Sequence, residues 1–210
     1  MNGLSEISNE DDLLAHLMVK HKIGQFAKVK QISTISISPE IDLLSIEGQS
    51  AVGYELKLLK YNKRLKGVDF KPLYSGMGQM LLYLNHGVNR SYLVIGLSPT
   101  LIGGNVSSTN AKIEEATRLL KMFRNMQSGY RYPYGQEQAA KTYDFDCIGI
   151  MLWNPSTDSV DTKLEAKRDF LAVKLDADLK HLNACLIKKQ FKYDKKFLER
   201  RKSERRFREG

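Results

Sequence analysis

The stretch SPEIDLLSIEGQSAVGYELKLL, residues 38–59, reads as two apolar strands around a tight turn, yet Asp42, Glu55 and Lys57 interrupt it. Burying an unpaired charge costs several kcal/mol, so charges in a core-like hairpin either face water or converge on a site. With the turn at Gly48-Gln49, Asp42 falls opposite Glu55. Glu55 and Lys57, two residues apart, share that face while Leu56 points the other way. Two neighbouring carboxylates raise each other's pKa, and a divalent cation removes the conflict; an oxygen donor set suits Mg²⁺ or Mn²⁺. A lysine beside such an ion can orient or deprotonate a water, or stabilise a pentacovalent phosphate as a point charge. The same residues also suit a plain exposed sheet face carrying a Glu–Lys pair.

The elements that must position these residues follow from periodicity and turn chemistry. Residues 10–22 predict a helix capped by Asn9, with Asp11 and Asp12 in its first turn and Leu13, Leu14, Leu17, Met18 and His21 on one face. A strand is expected over 26–37, the hairpin strands over 41–46 and 51–59, a helix over 74–85, and an internal strand over 91–97. A further helix is expected after Asn110, and a last strand over 143–154. From about residue 161 a long helical pattern runs through Leu164, Leu171, Leu175, Leu182 and Leu186. Together these predict an α/β fold with a central mixed sheet flanked by helices: a core over 1–160 and a helical, basic extension over 161–210. The leucine seam points to a homodimer, which would supply two sites related by two-fold symmetry.

Asp42 followed by Glu55-Leu56-Lys57 resembles the bipartite motif of the PD-(D/E)xK nuclease superfamily, with a restriction-endonuclease-like core. Upstream, NEDDLLAHL resembles the superfamily's first-helix glutamate, here Glu10, with Glu6 as a competing candidate. Downstream, Gln79 and Tyr83 in GMGQMLLYL are similar to the Q-x-x-x-Y helix of the RecB-type branch, one helical turn apart. The stretch is also similar to archaeal junction- and mismatch-cleaving endonuclease domains. It departs from the family pattern in lacking a Pro-Asp dipeptide: Pro39-Glu40-Ile41-Asp42 stands there, with Glu40 on the face of Asp42. The resemblance spans residues 6–97. It implies that Asp42, Glu55, the Leu56 carbonyl and Glu10 hold Mg²⁺ or Mn²⁺, that Lys57 assists the attacking water, and that Gln79 and Tyr83 shape the site. The implied activity is endonucleolytic hydrolysis of DNA, with branched or damaged DNA as a substrate class.

Charge agrees with a polyanionic partner. Residues 188–210 carry a net +7, against +2 for the other 187. Lys195, Lys196, Arg200 and Arg201 of this tail, and Lys60, Lys63, Arg64 and Lys66 after the second hairpin strand, are the candidate phosphate contacts. Tyr130, Tyr132 and Tyr134 could stack on unpaired bases or pack their own loop. His16, His21, His86 and His181 show no ligand spacing and are read as structural or exposed. Cys147 and Cys185 are read as reduced, buried thiols of a cytoplasmic protein, although a disulfide between them stays open. No apolar run is long enough for a membrane span and no secretory leader is expected. Two other readings stay open: a DNA-binding protein that does not cut, and a protein-interaction module with a basic tail.

Overall fold

The computed structural model describes residues 7–31, 40–85, 87–99, 101, 109–115, 117, 118, 121, 145–169 and 191–209. Helix α1 (Glu10–Lys20) precedes strands β1 (Phe26–Gln31), β2 (Ile41–Glu47) and β3 (Ser50–Leu59). A small hairpin, β4 (Tyr61–Asn62) and β5 (Gly67–Val68), leads to α2 (Lys71–Asn85) and β6 (Arg90–Leu97). Then follow β7 (Ile148–Asn154), β8 (Ser159–Leu164), β9 (Phe191–Lys192) and α3 (Phe197–Glu209).

Seven strands form one mixed sheet in the order β8-β7-β6-β3-β2-β1-β9. β3, β6 and β7 run parallel, and the remaining neighbours are antiparallel. The internal strand β6, RSYLVIGL, is an almost unbroken apolar run, as a parallel strand covered on both faces requires. Its alternate residues divide between two cores. Leu93, Ile95 and Leu97 pack with Leu73, Met80 and Leu84 of α2, whereas Tyr92 and Val94 pack with Leu13, Leu14 and Leu17 of α1. The helices thus cover opposite faces, and β3 lies between them in the middle of the sheet.

The β2–β3 register matches the expected one: Leu43 pairs with Tyr54 and Leu44 with Gly53 across a turn at Gly48, whose φ of +63° suits glycine. Helix α2 begins at Lys71, earlier than periodicity suggests, because Pro72 is tolerated in a first turn where its missing N–H has no partner to lose.

The C-terminal part differs from expectation. Residues 161–164, expected at the start of a long helix, belong to β8, which runs antiparallel to β7 across the turn at 155–158. Val160, Thr162 and Leu164 alternate along it, and two of the three are β-branched, which favours a pleated strand. The boundary at 160 therefore falls inside a strand of the main sheet, and Leu164 belongs to the core rather than to a helical seam. Leu171, Leu175, Leu182 and Leu186 lie outside the described residues, as do the tyrosines of 130–134 and Cys185. The basic end is helical over 13 residues only. It docks on α1 through buried Phe197 and through Arg201, which pairs with buried Asp12. No helix among the described residues is long and apolar enough to cross a membrane.

Candidate active site

β2 begins at Ile41 while β3 runs on to Leu59, so beyond Glu55 the β2-facing edge of β3 has no ladder partner among the described residues. Side chains take up its donors. The Leu56 N–H donates to Asp42 Oδ2 at 3.0 Å, and the Leu58 N–H donates to Glu10 Oε1 at 3.4 Å. A strand residue's N–H and C=O leave by the same edge, so the Leu56 carbonyl opens on the same gap. Glu10 reaches it from the first turn of α1. A capping box sets that turn: the Asn9 side chain accepts from Asp12 N–H at 2.9 Å, and the Asp12 carboxylate accepts from Asn9 N–H at 3.2 Å.

Glu55 and Lys57 project from β3 toward α2. Glu55 is 1% exposed; its Oε1 lies 2.5 Å from the Lys57 ammonium, and its Oε2 accepts from the Tyr83 hydroxyl. Lys57 Nζ is also 3.8 Å from Glu10 Oε2. Burial, with the Asp42 charge added, pushes the Glu55 carboxyl up to about 7 against the pull of Lys57 and Tyr83. For Lys57 burial works downward, but the attraction of Glu55, Glu10 and Asp42 outweighs it and the ammonium is held charged. Burial and the Glu55 charge keep the Tyr83 hydroxyl protonated. That hydroxyl accepts from Asp42 N–H at 3.4 Å and lies 3.1 Å from the Glu40 carbonyl, so it spans the two strands where they part.

The structure therefore brings Glu10, Asp42, Glu55, Lys57, Tyr83 and the Leu56 edge together. Gln79, one turn before Tyr83, is half-buried and makes no hydrogen bond to the carboxylates among the described contacts. Sequence reasoning missed Lys28. Ala27–Leu43 and Val29–Ile41 pairings bracket it, placing it across from Asp42, and its ammonium lies 2.8 Å from Asp42 Oδ1 and 3.3 Å from Asp11. Only the β1–β2 register reveals it, and a connection through residues 32–39 hides that register from a reader of the sequence.

Four carboxylates, Glu10, Asp11, Asp42 and Glu55, meet the two ammonium groups of Lys28 and Lys57, so the cluster is net negative once Glu55 is ionised. Oxygen donors converge, which fits a hard divalent cation. Beside Glu10 an open groove of about 700 Å³ is lined by Asp11, Lys60, Tyr61 and Lys63 among others. Lys60, Lys63, Arg64 and Lys66 are all exposed on or near the β4–β5 hairpin, as are Lys195, Lys196 and Arg200 at the start of α3. Arg201 is not available in the same way. It is 14% exposed and committed to Asp12, to Asn9 Oδ1 at 3.2 Å and to Glu204 at 2.6 Å, so it ties α3 to α1 rather than facing a polyanion.

His16 and His21 do not stand apart as the sequence suggested. Their ligand atoms lie with that of Asp158 within 4.8 Å of one another, a group that can hold a metal ion. No family model, curated protein or solved structure matches this chain.

Proposed function

We propose that the chain is a metal-dependent endodeoxyribonuclease built on the PD-(D/E)xK plan. The observation that carries this reading is the convergence of Glu10, Asp42, Glu55 and Lys57 where β3 runs beyond its ladder with β2, an edge without a ladder partner among the described residues. Asp42, Glu55, Glu10 and the Leu56 carbonyl would hold Mg²⁺ or Mn²⁺. When bound, the ion supplies Lewis-acid activation of a water and neutralises charge on the scissile phosphate. Lys57, held charged, acts as a positioned cation: it orients the attacking water and meets the charge that builds on the phosphate. Tyr83 holds Glu55 and the Asp42 backbone in place. Lys28 neutralises Asp42. Exposed Lys60, Lys63, Arg64 and Lys66, with Lys195, Lys196 and Arg200, bind the DNA backbone.

The test is incubation of supercoiled plasmid and of branched DNA with the full chain in Mg²⁺ or Mn²⁺, with and without chelator. Metal-dependent nicking is the expected result. Binding without cleavage of either substrate, in both metals, would leave a non-cutting DNA-binding protein and sink the nuclease reading.

The packing of α2 gives a second handle on the same site. A Cβ at Gly76 would meet Lys57 Cγ at 2.8 Å and Leu93 Cδ1 at 2.7 Å. Gly76→Ala is therefore expected to displace the Lys57 stem, lowering cleavage at least tenfold and stability by about 1–2 kcal/mol. Gly78→Ala is the control, because a Cβ there meets nothing within 4 Å. It should leave cleavage unchanged and raise stability slightly, through helix propensity. Equal activity of the two variants would show that the α2 contact does not position Lys57.

A further inference from the structure

A second cluster, at the opposite end of α1 from Glu10, has a different donor set. His16 lies in the last turns of α1, and His21 caps its C-terminus. Lys22 then takes a left-handed φ of +59°, and the two imidazole rings meet edge-on with centroids 5.4 Å apart. Asp158 enters from the β7–β8 turn at φ +47°, a conformation that aspartate tolerates better than most residues. Its Oδ1 lies 2.7 Å from His16 Nε2 and 3.0 Å from His21 Nε2.

We propose that His16, His21 and Asp158 bind Zn²⁺ or a similar borderline cation, as a site separate from the all-oxygen one. Two imidazole nitrogens and one carboxylate oxygen are a characteristic zinc set with one position left for water, whereas Mg²⁺ prefers oxygen alone. The fit is close. Zinc bonds of 2.0–2.1 Å put tetrahedral ligands about 3.3 Å apart, so the two nitrogen–oxygen pairs need to open by about half an ångström and the two imidazole nitrogens, within 4.8 Å of each other, to close by at most about 1.5 Å. The carboxylate is already held from behind. The fully buried Trp153 donates its Nε1–H to Oδ1 at 3.0 Å, and Lys20 pairs with Oδ2. A carboxylate has lone pairs for both partners and a metal, and such outer contacts commonly fix a ligating carboxylate. Side-chain exposures of 15%, 17% and 9% for His16, His21 and Asp158 leave the cluster reachable from solvent. A bound ion would clasp the C-terminal end of α1 to the β7–β8 turn and so hold the helix that carries Glu10.

The test does not depend on the nuclease reading. Zn²⁺ and Co²⁺ are titrated by calorimetry and visible absorption into the metal-stripped full chain and into Asp42→Asn/Glu55→Gln, which removes the oxygen site. Asp42→Asn/Glu55→Gln should bind one equivalent and the wild type that equivalent together with what its oxygen site takes, both with the Co²⁺ d–d bands of a tetrahedral nitrogen–oxygen site. His16→Ala and His21→Asn, the latter a residue that suits a helix C-terminus, should each weaken Zn²⁺ about a hundredfold or more while retaining wild-type circular dichroism. Loss of the ion in Asp42→Asn/Glu55→Gln, unchanged affinity in both histidine variants, or no Co²⁺ bands at all would overturn the proposal.

Discussion

Lys57→Ala is expected to lower the rate of DNA cleavage about a hundred- to a thousandfold, the scale seen when a preorganised charge is removed from a reacting phosphate or oxyanion. DNA affinity should change less than about twofold, because Lys57 is one cation beside an exposed basic surface and its ammonium is largely buried. The variant should remain folded: Glu55, deprived of its counter-charge, can take a proton. Metal affinity separates Lys57 from its neighbours. At a pH where Glu55 is ionised in both proteins, removing a cation makes the cluster more negative, so Lys57→Ala should bind Mn²⁺ at least as tightly as the wild type. Asp42→Asn should also abolish cleavage, but with Mn²⁺ affinity weakened at least tenfold. Two inactive variants with opposite metal affinities would mark one residue as a reacting-centre cation and the other as a ligand. Full cleavage by Lys57→Ala, or equal metal affinity in the two, would contradict these roles.

The centre of this site was legible because it is local. Gly48 fixes the turn, the turn fixes the register, and the register places Asp42 opposite Glu55 within 14 residues of chain. Glu10 was legible through the cap at Asn9, which announces where α1 starts. Lys28, Arg201 and the His16–His21–Asp158 group were not. Each depends on a contact between segments whose relative placement only the folded sheet decides, and Asp158 meets His21 across 137 positions. The β8 error has another cause. Leucines at helical spacing from Leu164 onward outweighed six residues of strand alternation, although Pro155 and the polar turn before Ser159 signal a hairpin as much as a cap.

The buried Glu55 should also make stability depend on pH in a direction unusual for a carboxylate. Its carboxyl is raised from 4.5 to about 7, chiefly by burial and next by the Asp42 charge. Between these values the folded chain holds a proton that the unfolded chain has released, so rising pH favours unfolding. The contribution is fully present below about pH 4.5 and lost by about pH 7; at 1.36 kcal/mol per unit it is of order 3 kcal/mol. Urea unfolding followed by the single tryptophan, Trp153, in chelator from pH 4.5 to 8 measures it. Other groups titrate over part of this range, and Glu55→Gln isolates the one in question. Its amide keeps an acceptor for Tyr83 without the charge, so its stability relative to the wild type should rise with pH and level off near pH 7. A divalent cation reverses the sign, because it binds the carboxylate and expels the proton. Mn²⁺ affinity should therefore climb about tenfold per pH unit below pH 7 and flatten above it. Parallel pH profiles for wild type and Glu55→Gln would mean that Glu55 is ionised throughout. Lys57 and Tyr83 alone would then suffice to hold its charge, and burial strain at this carboxylate would no longer be a reason to expect a metal there.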